Sequence, residues 1–123
     1  MSKSILTKYE KNSAFSGTPA TCQHHLIFGR YKAWRDISDR YGLWIPLIDS
    51  EHNFSSTGTK NQIHDNPAAE KLSKMLGQVA FEKDYLAKKL ANANKDGLDD
   101  KSVDEWYDEA REAFRKEFGE SFL

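Results

Sequence analysis

A chain of 123 residues with 18 Lys+Arg against 19 Asp+Glu is sized for one domain with a single modest core, since two would each be marginal. No apolar run approaches the roughly 20 residues of a membrane span, the segment MSKSILTKYEKN lacks the apolar stretch of a secretory signal, and a lone cysteine, Cys22, excludes an internal disulfide framework and a Cys-rich zinc knuckle. A cytoplasmic protein is therefore expected, and a net charge of −1 argues against a uniformly basic surface that coats nucleic acid.

The first expected element is a strand over residues 22–28 (CQHHLIF), ended by Gly29. Residues 30–41 are polar and basic, with Arg30, Lys32, Arg35 and Arg40, and hold a helical turn around residues 36–40. A second strand is expected over residues 43–48 (LWIPLI), with Pro46 placing it at a sheet edge or bend. Ser50 is positioned to cap a short helix, and residues 50–66 are rich in Ser, Thr, Gly and Asn with little to bury. A loop that long inside a compact domain is usually functional or mobile.

Two helices follow. The first opens at Asn66-Pro67, an N-cap residue and a proline at the first helical position. Leu72, Met75, Leu76, Val79, Leu86 and Leu90 then recur at near-helical spacing, interrupted by Gly77, until the turn chemistry of residues 92–97. The second opens at Ser102, which with Glu105 forms a capping box, and ends at Gly119, where a left-handed cap belongs. Val103, Trp106, Tyr107, Ala110, Phe114 and Phe118 form its apolar stripe, read as core packing. An acidic run over residues 96–109 reads as a solvated surface with favourable charge at a helix start, or as a face for a protein partner or a homodimer contact.

Charge and composition divide the chain. Residues 1–66 hold 8 Lys/Arg and 6 Asp/Glu, together with all four histidines; residues 67–123 hold 10 and 13. The first half looks like the site and the second like its support. Adjacent His24 and His25 on a strand point to opposite faces. A strand pair followed by a helix can bring the His24, His52 and His64 segments around one ion. Imidazole suits zinc, nickel, iron or copper, while water and phosphate oxygens completing the shell also accommodate magnesium or manganese. Three protein ligands leave open positions, as catalytic sites do.

The segments Lys3-Ser-Ile-Leu6, Phe15-Ser-Gly17, His24-His-Leu-Ile-Phe-Gly29, Tyr41-Gly-Leu43, Glu51-His-Asn53 and Ile63-His-Asp-Asn66 resemble small HNH nucleases. The closer likeness is to HNH-like proteins common in phages and prophages of Gram-positive bacteria. The resemblance runs to about residue 90, and the closing Phe118-Gly-Glu-Ser-Phe-Leu123 shares it. It implies an α+β fold: a ββα-metal (His-Me finger) core with a short two-stranded β element and two supporting C-terminal helices. Within one domain over residues 1–123, the core would span 20–90 and a helical extension 91–123.

The function implied is metal-dependent hydrolysis of DNA phosphodiester bonds. His25 corresponds to the general base, a task suited to an imidazole of ordinary pKa near ~6.5. His24 and His52 correspond to metal ligands, with His64 as a further ligand of one divalent ion (Mg, Mn, Ni or Zn). Two departures stand out. The Asn that orients the base is missing from the second strand, leaving Asn53, then Asn66, as substitutes; and Ile48 and Glu51 occupy the place of a Cys pair that binds structural zinc in many relatives. Arg30, Lys32, Arg35 and Arg40, with Lys60, are the expected phosphate contacts, which confer affinity without sequence choice. Trp34 and Trp44 read as packing residues, with base stacking as the alternative. The rival function is a catalytically weak or inactive binding protein of a phage on the same scaffold, such as an inhibitor of a host defence nuclease.

Overall fold

The computed structural model describes residues 2–29, 31–52, 66–96 and 101–123. Within them the order is β1 (Cys22–His25), α1 (Lys32–Arg40), β2 (Trp44–Leu47), α2 (Asp49–His52), α3 (Pro67–Asp96) and α4 (Val103–Phe118). This is a mixed α+β arrangement. The two strands pair antiparallel, with Cys22 opposite Leu47 and His25 opposite Trp44. Pro46 has no N–H for a ladder, and its carbonyl accepts from Ala14 N–H at 2.8 Å.

The N-terminal segment straps the second strand. Ser4 Oγ donates to the Trp44 carbonyl at 2.6 Å, Trp44 Nε1 donates to the Ser2 carbonyl at 3.0 Å, and Ile5 N–H donates to the Gly42 carbonyl at 3.0 Å. Gly42 permits this twice over. Its φ of +70° suits glycine, and a Cβ there would lie 2.2 Å from the Lys3 carbonyl oxygen.

The expected turn at residues 36–40 is a full helix, α1, between the strands. It buries Trp34, Ile37 and Ser38, and the Ser38 hydroxyl donates to the Ile27 carbonyl at 2.9 Å. Trp34 and Trp44 are both buried packing residues; Trp34 Nε1 donates to the Phe118 carbonyl at 2.9 Å. The larger core cluster joins Ile27, Trp34, Ile37 and Leu43 to Phe81, Phe114 and Phe118, so the C-terminal helix packs on the same residues as the strand connection. A smaller cluster gathers Leu26, Phe28, Ile45 and Leu47.

The helix ends form where local chemistry places them. Asn66 Oδ1 accepts from the N–H groups of Ala68 (3.0 Å) and Ala69 (3.3 Å), Ser102 Oγ accepts from Glu105 N–H (3.2 Å), and Gly119 adopts φ +87°. Helix faces are a different matter. On α3 the buried positions are Ser73, Gly77, Gln78, Phe81 and Glu82, whereas Leu72, Leu76, Val79 and Leu90 are exposed. The expected stripe therefore faces outward, because α3 meets the strand end at a distance only small residues allow. A Cβ on Gly77 would lie 2.8 Å from Ile27 Cγ1 and 3.1 Å from Leu26 Cβ. On α4 the stripe is buried at Ala110, Phe114 and Phe118 and exposed at Val103 and Tyr107. No helix among the described residues is long and apolar enough to cross a membrane.

Gly77→Ala tests the close approach. Alanine raises helix propensity by about 1 kcal/mol, while the clash with Ile27 and Leu26 costs about 1–3 kcal/mol. The expected result is a net loss of stability in urea unfolding; a variant as stable as the parent would show that α3 has room to spare.

Candidate functional site

Strand alternation separates the two adjacent histidines, and each lies in a distinct environment. His24 is fully buried, with Nε2 2.8 Å from the Ser73 hydroxyl oxygen of α3. Ser73 has one hydroxyl proton, and it goes to the Leu26 carbonyl at 2.7 Å. The hydroxyl oxygen must then accept from His24, so Nε2 carries the ring proton. In the neutral imidazole the lone pair is on Nδ1, which is shielded from solvent. Metal-binding histidines show this pattern, with one nitrogen donating to a neighbouring oxygen and the other left to ligate.

The His24 ring meets the His52 ring edge-to-face, with centroids 5.0 Å apart and planes at 68°. His52 is the last residue of α2. With metal–nitrogen bonds of about 2.0 Å, and about 1.1 Å from nitrogen to ring centre, two histidines on one tetrahedral ion have centroids about 5 Å apart. The His24–His52 spacing fits such an ion. Among the described residues no three His, Cys, Asp or Glu side chains form a metal-binding group, and His64, the third expected ligand, lies outside the described residues.

His25 turns toward α1. Its side chain is largely buried, and Nε2–H donates to Asp39 Oδ1 at a long 3.4 Å. The pair lies in a groove of about 380 Å³ whose lining is completed by Gln23, Lys32, Arg35 and Asp36. Two of the expected phosphate contacts, Lys32 and Arg35, thus share a groove with His25. Arg40 does not line it; its guanidinium lies over the Tyr41 ring at 5.6 Å. Arg30, Asn53 and Lys60 lie outside the described residues. Asn66 is engaged as the α3 cap and leaves Asp39 as the side chain that orients His25. A signal for Asp39 was available in the sequence. Lys32, Arg35, Asp36 and Asp39 fall at i, i+3, i+4 and i+7, one face of a helix.

At the place of the zinc-binding pair, hydrogen bonds do the holding. The Ser13 hydroxyl donates to Glu51 Oε1 at 2.6 Å and accepts from the N–H groups of Phe15 and Ser16. The same Glu51 oxygen accepts from Ile48 N–H at 3.1 Å. Nearby, Cys22 is half-buried, and burial together with the negative charge of Asp49 pushes its thiol up to about 11. A thiol in that state is protonated at neutral pH and is a poor nucleophile.

No protein-family model, no curated protein and no solved structure matches the chain.

The raised Cys22 pKa has a direct chemical signature. At pH 8 the thiolate fraction is about a thousandth, so alkylation by iodoacetamide should be slow and should climb with pH up to about 11. A rate that levels off near pH 9 would contradict the placement of Cys22 beside Asp49.

Proposed function

We propose that the chain is a metal-dependent endonuclease of the HNH, ββα-metal class, hydrolysing DNA phosphodiester bonds in the bacterial cytoplasm. The observation that carries the reading is the division of labour along β1. His24 is paired with His52 and held in the tautomer that ligates, while the next residue, His25, faces a basic groove with a carboxylate behind it. His24 and His52 would hold the ion, with His64 completing the set from outside the described residues. When bound, a divalent ion supplies Lewis-acid stabilisation of the charge that develops on the phosphate and on the leaving 3′ oxygen.

The chain's own residues do the rest. Asp39 accepts from His25 Nε2–H, which leaves Nδ1 as the site that takes a proton from the attacking water. Asp39 acts through His25 and is a positioning residue, in the place the family gives to an Asn. Lys32 and Arg35 in the same groove bind the phosphates on either side of the scissile bond. The second reading, a binding protein on a nuclease-like scaffold, draws support from two observations: Asn66 is committed to capping α3, and the His25–Asp39 bond is long.

Supercoiled plasmid incubated with Mg, Mn, Ni or Zn separates the two. Nicking by the parent protein that falls about 10²–10⁴-fold in His25→Ala fits the enzyme; no nicking with any ion at low salt fits the binding protein. Asp39→Ala should lower kcat by about 10–100-fold with KM unchanged, while Lys32→Ala and Arg35→Ala should raise KM and flatten the salt dependence. Calorimetry reads the ion directly. His24→Ala and His52→Ala should each weaken binding at least about tenfold, and unchanged affinity in both removes the site.

A further inference from the structure

We infer that the outward face of α3 is the contact surface of a two-fold homodimer in which the two α3 helices run antiparallel. The face is apolar to a degree that solvent does not explain. Leu72 is 64% exposed, Leu76 45%, Val79 50% and Leu90 61%, all on one helix, with Ile5 of the N-terminal strap (40%) nearby. Contiguous exposed apolar side chains of this kind mark interaction sites. Beside them lies a groove of about 370 Å³ between the strap and the helix, lined by Ile5, Leu6, Leu76, Val79, Ala80 and Lys83 among others.

The spacing names the occupant. Positions 72, 76, 79, 83, 86 and 90 follow intervals of four, three, four, three and four, which read the same in both directions. A two-fold axis at the level of Phe81 sets Leu72 of one copy opposite Leu90 of the other, Leu76 opposite Leu86, and Val79 opposite the aliphatic stem of Lys83. Self-complementarity of this kind is what a two-fold interface requires. The strip is about 27 Å long at 1.5 Å per residue, and the groove beside it receives the leucines of the second copy. Lys83, the one charged position in the stripe, lies where its ammonium can reach solvent at the rim while its stem is covered. The inference uses none of the histidine site and stands or falls apart from the nuclease reading.

Sedimentation equilibrium over about 1–200 µM tests it. The parent protein should show a monomer–dimer equilibrium, and Leu76→Glu/Val79→Glu should shift it to monomer with unchanged circular dichroism. Both positions are exposed, so the substitution leaves the core intact. Register is read by oxidation in a Cys22→Ser background. Leu72→Cys mixed with Leu90→Cys should form an interchain disulfide, and Leu72→Cys alone should not. A parent protein that is monomeric throughout overturns the inference and leaves the face to a different partner. A dimer indifferent to the glutamates, or one in which Leu72→Cys cross-links to itself, overturns it as well.

Discussion

The contact between α3 and the end of β1 governs the rest of the molecule. At Ser73 and Gly77 the helix presents a hydroxymethyl group and a hydrogen to residues 24–27, and nothing larger fits at Gly77 without displacing Ile27. Ser73 uses its donor on the Leu26 carbonyl and its acceptor on His24, so two buried polar groups are satisfied by one side chain. Leaving either unsatisfied costs about 1–3 kcal/mol, a large share of the stability of a small domain. The same approach sets the height of α3 over the strand pair, and with it the depth to which Phe81 enters the cluster of Trp34, Phe114 and Phe118.

That contact also explains which parts of the fold were legible in the sequence. Helix ends are local events. Asn66 before Pro67, Ser102 before Glu105, and Gly119 after Phe118 each act within a few residues, and each does what its chemistry dictates. The strands were legible because short apolar runs bounded by glycine leave few alternatives. The buried face of α3 was not legible. Periodicity assigns the leucine-rich side to the core, but a helix packed at backbone distance buries its small and polar residues and sends its leucines outward. Tertiary context overrode the pattern. Of the site, the opposite orientations of His24 and His25 and the meeting of His24 with His52 were legible, as was the basic character of residues 30–41. Asp39 was missed because a nine-residue helix of low apolar content gives a weak signal by itself.

Where the family's pattern would place a second metal, this chain uses hydrogen bonds to the backbone. Ser13, Glu51 and the Ile48 N–H lock the N-terminal loop onto the turn after β2, and the strap from Ser2 to Ile5 adds bonds to Trp44 and Gly42. Each is worth about 0.5–1.5 kcal/mol net, less than a metal cross-link, but together they span the whole of β2. The result is a two-stranded ribbon, marginal in isolation, that is covered along its second strand and packed at its end by α3. His24 is held within that ribbon, so its rigidity passes directly to the candidate ligand.

The groove that holds His25 depends on a more distant part of the chain. Helix α1 has nine residues, too few to persist alone in water, and its groove-facing side is entirely polar or charged. It stays in place through its other side. Trp34 donates to the Phe118 carbonyl at the end of α4, and its ring meets Phe122 with centroids 5.4 Å apart. The Lys74 ammonium lies 5.8 Å from the Phe28 ring centre, 5.4 Å from that of Trp34 and 5.7 Å from that of Phe122, with Glu70 bonded to it at 3.1 Å. One desolvated cation thus ties α3, α1 and the final residues together, and cation–aromatic attraction strengthens as water is excluded. Phe122 is fixed in turn by its N–H donating to Gln78 Oε1 at 2.6 Å. The last few residues therefore set the position of α1, and through Asp39 the orientation of His25. A chemical group on the first strand is aligned by the far terminus of the chain, which is why no window of sequence around His25 could disclose how it is held.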